Sequence, residues 1–492
     1  MTAREHIRDE DLRRGACVEE KVLVGDLYRA SSHAPRFIDR RKLPQLAMRS
    51  DPARLLARPV TWGLAALLVR NDMTPRSERV LGQAKRLLDP VTADALIASL
   101  LKSWDRTRHH GGYAWIRRAI ALFGGDRTAL AISEELARWS SERGAARRHV
   151  SFMMDALADI GTDTSKMVLF ELTRAQNVTR AWERARNLVK VMARRRGVRV
   201  QHLGDLAVPG CGFDGHGKRG LEAAGRQLEL TLDEGFELRC DDPRTGERFA
   251  CPADLGDDPR AREEWEHTLG AVAKAVEVQD LRMEDAMVCG RRWSQSDWNE
   301  SIFDHPLMIN YARRLVWGMF DKDDDLVATF RATEDRELVD VEDDTFTMPM
   351  GLTVGLVHPL HLTREILAAW SRSFGDYEIR EPIEQLGRAT FVELEGRFEG
   401  VTLEGRAFRA RMMGGLWRHD GSSRGKLELT KGFGHGARAV LRSSPGFTTW
   451  RHRIPDQEVV SIELKGLEGL RADIARSETI RTLEAITHHA VQ

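Results

Sequence analysis

The chain has 492 residues, 42% of them hydrophobic and 30% charged, with 75 Lys+Arg against 75 Asp+Glu. That length predicts two to four domains at about 100–200 residues each, and the mixed composition excludes wholesale disorder. A formal net charge of zero gives no overall electrostatic grip on nucleic acid or anionic lipid. The longest strongly apolar stretch, near Trp62–Val69, falls far short of the roughly 20 residues a membrane span needs. The charged opening MTAREHIRDEDLRRG lacks the apolar core of a secretory signal. Five scattered cysteines, an odd count in a long chain, fit a reducing compartment better than a disulfide framework. The expectation is a cytoplasmic protein with no membrane partner.

Residues 1–200 read as helices, because apolar residues recur at three-to-four spacing in Leu81–Leu88 and Leu130–Trp139. Thr74-Pro75 and Asp89-Pro90 each pair an N-cap residue with proline at the first helical position. Ile116–Leu136 and Phe152–Leu172 look alike, with Gly124-x-Asp126 aligning on Gly161-x-Asp163 at a period of 37 residues. Each predicts helix, tight turn, helix, the layout of a HEAT-like repeat. Residues 201–280 predict a linking segment. In it Leu228–Cys240 alternates like a β-hairpin and Glu263–Met287 is helical. From 281 to 492 strands and helices mix. Strands are expected at Leu326–Phe330, Thr345–Met348 and Leu352–Val357, a helix capped by Thr363 over Thr363–Phe374, and mostly strands with Gly-rich turns from Val401 to about Glu463. The fold class is α+β: an N-terminal all-α region followed by a mixed C-terminal domain.

The literal motifs fail their structural contexts. Gly215-x-Gly217-x-x-Gly220 has strands after it, whereas a dinucleotide loop needs a strand before and a helix after. Gly421-x-Ser423-x-Gly425 joins two expected strands rather than a strand and a helix. Asp321-Lys-Asp323-Asp-Asp325 opens like a calcium loop but has Leu326 and Ala332 where that loop needs Gly and Glu. His358 and His361 have no further ligand at metal spacing. No cofactor and no metal are expected. Charge is nonetheless uneven: Arg180–Arg199 nets +7 and Asp321–Asp344 nets −8. The basic helix, with Arg194, Arg195 and Arg196, suits phosphate contact, and equally a solvated face or an acidic partner. Arg291, Arg292, Trp293 and Trp298 combine residue types favoured at interface anchors, while core burial is expected for Trp317 and Trp370.

The run GRRWSQSDW (Gly290–Trp298), HPLM (His305–Met308), RRLVWGMFD (Arg313–Asp321), FRATED (Phe330–Asp335), VHPLHL (Val357–Leu362), GDYEI (Gly375–Ile379) and Pro382, Gln385, Leu386, Arg388 resembles the MolR-like family, over about residues 150–463. That family is a bacterial domain of unknown function found beside WGR modules. No Trp-Gly-Arg module is present here, since Trp317-Gly318 continues to Met319. The resemblance implies an assembly role beside an AAA+ ATPase or a von Willebrand-type protein, and it supplies no catalytic residue.

Three functional readings follow. The first is a non-catalytic regulatory or scaffold protein acting through protein–protein contacts. The second is a nucleic-acid-binding regulator using helix 180–199. The third is an enzyme whose candidate groups are His305, His358, His361, Asp376, Gln385 and Arg388, grouped by their shared motifs. Histidine suits proton transfer near neutral pH. The competing structural reading makes Asp376 and Arg388 an internal ion pair.

Overall fold

The computed structural model describes residues 17–33, 37–107, 112–139, 146–174, 179–249, 258–391, 393, 398–414, 417–419, 427–434, 437–446, 455–466 and 469–489. The chain divides into two compact units, residues 1–173 with 178–209, and residues 210–492 with 174–177. Residues 210–280 cluster with the second unit.

The first unit runs α1 (Val18–Ala30), β1 (Ala47–Met48), β2 (Asp51–Leu55), α2 (Arg58–Arg70), α3 (Pro75–Leu87), α4 (Pro90–Arg106), α5 (Ala114–Phe123), α6 (Asp126–Trp139), α7 (Ala146–Ile160), α8 (Asp163–Arg174), α9 (Thr179–Arg196) and α10 (Val200–Asp205). The unit is helical as expected, with a short β1–β2 ribbon between α1 and α2. The ribbon pairs antiparallel, and Pro52 and the exposed side chains of β2 suit an edge rather than a core strand. Proline and cap act together as expected. Thr74 accepts from the Ser77 amide and opens α3, and Asp89 accepts from the Thr92 amide and opens α4. One core joins the helices, with Leu27, Leu64, Leu96, Leu100, Trp104, Ile116, Ile132, Leu157 and Leu169 all buried.

The two similar stretches are both helix–turn–helix: α5 and α6 turn at Gly124-Gly125, α7 and α8 at Gly161-Thr162. Their turns are closed differently, and one residue decides how. Thr162 caps its own helix, accepting from the Ser165 amide at 3.3 Å. Gly125 has no side chain to do so. Asp94 of α4 takes over, accepting from the Gly125, Arg127 and Thr128 amides at 2.7, 2.8 and 3.1 Å and from the Thr128 hydroxyl at 2.5 Å. A carboxylate there satisfies amides a helix start leaves unpaired and meets the positive end of the helix dipole. Burial nevertheless pushes the Asp94 carboxyl above its usual range, against those donors. The site leaves no room at Gly125, where a Cβ would stand 2.8 Å from the Asp94 carboxylate.

Among the described residues the second unit holds three antiparallel sheets. β3 (Lys218–Ala223), β4 (Arg226–Leu232), β5 (Leu238–Asp241) and β6 (Arg248–Phe249) form a meander. The expected hairpin is β4–β5, with Leu230 opposite Cys240 and Leu232 opposite Leu238. The long α11 (Pro259–Val288) follows, then α12 (Gln295–Trp298), a π-helical turn over Asn299–Phe303, and α13 (Ile309–Arg314). β7 (Trp317–Phe320), β8 (Leu326–Ala332), β9 (Leu338–Val339) and β10 (Thr353–Leu356) form a sheet in the order β10-β7-β8-β9. Thr345–Met348 adds only a single bridge, Thr345 to Val339, because β9 is two residues long and offers little to pair with. α14 (Arg364–Asp376) starts at Thr363 as expected, the hydroxyl accepting from the Ile366 amide. β11 (Thr402–Leu403), α15 (Gly405–Gly414), β12 (Arg418–His419), β13 (Leu427–Gly432), β14 (Arg438–Ser444), β15 (Gln457–Lys465) and α16 (Gly469–His489) complete the chain, with sheet order β11-β15-β14-β13-β12.

Aspartates build the turns of this unit. Asp214 accepts from the His216 and Lys218 amides, Asp321 from those of Asp323 and Asp325, and Asp340 from those of Glu342 and Asp344. Side-chain carboxylates that bond the backbone two to four residues on favour turns over helix or strand. The Gly215–Gly220 run is thus a turn leading into β3. Asp321–Asp325 is the β7–β8 turn, and the acidity of Asp321–Asp344 belongs largely to hairpin turns. Gly421–Gly425 lies outside the described residues.

Asp94→Ala should lower the stability of the first unit by about 2–4 kcal/mol, since it orphans several buried donors. Gly125→Ala should also destabilise by displacing the same carboxylate. Urea denaturation followed by circular dichroism checks both, and an unchanged midpoint for Asp94→Ala would remove the cap from the account.

Candidate functional site

β10 ends in a 3₁₀ turn over Pro359–His361, opened by His358 with proline at the first position. His358 Nδ1 accepts from the Leu360 amide at 3.2 Å. That bond places the ring proton of the neutral form on Nε2, which faces Glu478 Oε1 at 3.3 Å. His361 Nδ1 accepts from the His358 amide at 2.9 Å. The two histidines therefore lock the turn that carries them.

Glu478 comes from α16. Arg388 binds it with two parallel bonds of 2.7 Å, from Nε to Oε1 and from Nη2 to Oε2. The same guanidinium donates to Glu284 of α11 at 2.9 Å and to the Glu384 carbonyl at 3.0 Å. Burial opposes the charge on Glu478, but hydrogen bonds from Arg388 and His358 prevail and hold its carboxyl well below the usual range. Burial likewise pulls the Arg388 pKa down, but Glu478 and Glu284 prevail and raise it. Burial lowers the His358 pKa despite Glu478. His361 is driven to about 3 by burial and by Arg292, His358 and Arg471. Beside Arg388, Gln385 works as a backbone surrogate. Its Oε1 accepts from the Val316 amide at 2.8 Å, and its Nε2 donates to the Val316 and Val357 carbonyls at 2.9 and 2.8 Å. It thereby ties the start of β7 to the end of β10.

A second ion cluster adjoins the turn. Asp324, in the β7–β8 turn, is held by Arg292 at 2.7 Å and by Arg471 of α16. The Arg292 guanidinium lies 3.4 Å from the Phe320 ring centroid, and His361 meets the same ring edge-on at 5.3 Å. Burial lowers the Arg292 pKa to about 10 despite Asp324. Gly290, at φ +60, makes room for Arg471: a Cβ there would stand 1.7 Å from the guanidinium.

Of the six candidate catalytic residues, the structure brings His358, His361, Gln385 and Arg388 together. It leaves two outside. His305 Nδ1 accepts from the Leu307 and Met308 amides, capping the turn before α13. Asp376 is exposed at the end of α14. The expected Asp376–Arg388 pair is corrected: the carboxylate partners of Arg388 are Glu478 and Glu284. Trp293 and Trp298 are 2% and 0% exposed and pack edge-on against Trp317 at 5.7 and 5.4 Å. They are core residues, so the expected anchor face of Arg291, Arg292, Trp293 and Trp298 is not formed. Arg291 lies over the Trp293 ring at 4.8 Å, and Arg292 is committed to Asp324. Arg194, Arg195 and Arg196 are exposed at the end of α9. The sequence reading missed Glu478, Glu284 and Arg471.

Chemically the arrangement is a clasp. His358 is 0% exposed, and both of its ring nitrogens are engaged. Among the described residues no group of three or more His, Cys, Asp or Glu side chains could hold a metal ion, and no helix is long and apolar enough to cross a membrane.

A family model described as a domain of unknown function (DUF4132) matches residues 247–417. That span contains Glu284, His358, Gln385 and Arg388, while Glu478 lies beyond it. An uncharacterized protein, YehI of Escherichia coli (strain K12), is 26% identical over 378 residues, covering 75% of this chain and 31% of its own length. The chain thus spans about a third of that relative. No solved structure matches. These matches overturn the MolR-like resemblance, since neither the family nor the relative is of that kind. The ATPase and von Willebrand-type companions it implied lose their basis with it.

Arg388→Ala should cost about 3–5 kcal/mol, because it strands a buried carboxylate. Replacing Arg388 and Glu478 together by Met and Leu should recover most of that loss, so the double-mutant cycle reads the coupling. Acid should also destabilise the unit. A histidine held neutral in the fold but protonated when unfolded contributes stability that is complete above about pH 6.5 and is lost as pH falls toward the folded value, about 3 for His361. Glu478, lowered in the fold, adds a loss below about pH 4.5. His361→Leu should flatten the slope between pH 6.5 and 4.5 by up to about 1.4 kcal/mol per pH unit. An identical slope in the variant would contradict the neutral assignment.

Proposed function

We propose that the chain is a non-catalytic regulatory or scaffold protein that acts through protein–protein association in the cytoplasm. The sealed state of His358 carries this reading. A general acid or base must reach a substrate proton within hydrogen-bond distance, and this histidine spends one nitrogen on its own turn and faces the other to Glu478. The lowered pKa of Glu478 and the raised pKa of Arg388 arise within a buried ion network, and structural ion pairs perturb pKa values as catalytic sites do. The paired helices of the first unit support the same reading, because stacked helix pairs offer broad side-chain surfaces for contact.

The test is capture of the tagged chain from its native cells after nuclease digestion, with bound proteins quantified. The expected result is at least one protein recovered near one-to-one, and recovered equally by a His358→Gln variant that remains folded. Recovery of no protein above background, or a substrate turnover lost specifically in that variant, would overturn the reading.

A further inference from the structure

We propose that the C-terminal end of α9, with the turn into α10, binds the phosphodiester backbone of duplex nucleic acid without sequence preference. α9 packs Ala185, Val189 and Ala193 into the core. At about 100° per residue the opposite face carries Asn187, Lys190, Arg194 and Arg195, and all four are exposed. Gly197, at φ +70, then turns the chain. The Val198 amide bonds the Ala193 carbonyl at 3.0 Å and the Gly197 amide bonds that of Arg194 at 3.2 Å. This closure sets Arg196 and Arg199 at the same end, both exposed.

Lys190, Arg194, Arg195, Arg196 and Arg199 form no ion pair among the described residues. Arg184, on the same helix, does pair with Asp155 at 2.5 Å. Glu183 is the acid of the helix, and it stands 11 residues before Arg194, about 16 Å along the axis. The Arg180 side chain lies outside the described residues.

Folding alone does not account for this cluster. One cation in the last turn satisfies the helix dipole, at about 0.3–1 kcal/mol. Further like charges cost stability, about 0.2–0.5 kcal/mol for the Lys190–Arg194 pair at i,i+4. The physical use of such a surface is an external polyanion.

The chemistry favours nucleic acid among polyanions. Four of the five cations are arginine, whose planar fork matches phosphate. Residues 190–199 extend about 14 Å, and a duplex presents a charge about every 1.7 Å of its axis, so every cation finds a phosphate without a special ligand sequence. A membrane-surface helix instead needs a broad exposed apolar face. Here Val191 and Val200 are the large apolar side chains exposed among residues 183–200, at 41% and 38%. This inference stands apart from the protein-partner reading.

The test is fluorescence anisotropy of the purified full chain with a labelled duplex DNA of about 20 base pairs, across a salt series. Five neutralised phosphates predict a log–log salt slope of about −4 to −5. The Arg194→Gln, Arg195→Gln, Arg196→Gln triple variant should weaken binding at least about tenfold at low salt and remove about three units of slope. Arg184→Gln, whose arginine is already paired, should leave the slope unchanged. If circular dichroism shows the triple variant misfolded, Lys190→Gln with Arg199→Gln replaces it and should remove about two units. A slope near zero or an unaltered variant overturns the proposal. So does displacement of the duplex, charge for charge, by polyglutamate or by phosphatidylserine vesicles.

Discussion

The bidentate pair between Arg388 and Glu478 is the constraint on which the second unit depends. Withdrawing two charges from water costs several kcal/mol per ion. The cost is offset only because the remaining polar atoms are also satisfied, by Glu284, the Glu384 carbonyl and His358. That requirement links segments far apart in the chain. α11 supplies Glu284, the β10 turn supplies His358, the segment after α14 supplies Gln385 and Arg388, and α16 supplies Glu478. Each must be in place before the others are stable there. The same requirement fixes the histidine's tautomer and engages both of its ring nitrogens. Four of the residues that resemble catalytic machinery, His358, His361, Gln385 and Arg388, take part in the bonds that hold these segments together.

The first unit uses the same physics on a smaller scale. A helix start needs an acceptor, and where the turn has Gly125 instead of a capping side chain, Asp94 arrives from another helix. The result is a cross-link between α4 and α6 by one buried carboxylate. Two stretches that look nearly equivalent in sequence are thus held by a local cap in one case and a long-range one in the other. Beyond the core, the end of α9 carries charge that stability does not call for, and this makes it the natural place to look for a ligand.

Much of the fold was legible because its signals are local. Thr74-Pro75, Asp89-Pro90 and Thr363 announce helix starts through side chains that accept from the amide three residues on, and the Gly-x-Asp turns sit where the 37-residue period puts them. The clasp was half legible. His358, His361, Gln385 and Arg388 lie within 31 residues and share motifs, but Glu478 lies 90 residues beyond Arg388 in a helix with no signal of its own. Ion pairs across that separation leave no local pattern. Trp293 and Trp298 failed for another reason. Arginine beside tryptophan occurs both at exposed anchors and where a cation covers a core ring, and only burial separates the two. The family resemblance failed because short shared motifs do not define a family.

The central claim is that the Arg388–Glu478 pair holds these segments together as one cooperative element. Hydrogen exchange, read by mass spectrometry on the full chain and on Glu478→Gln, tests it most directly. The account predicts that residues 316–320, 353–361 and α16 lose protection together in the variant. Loss confined to α16, with β7, β10 and the histidine turn as protected as before, would contradict it.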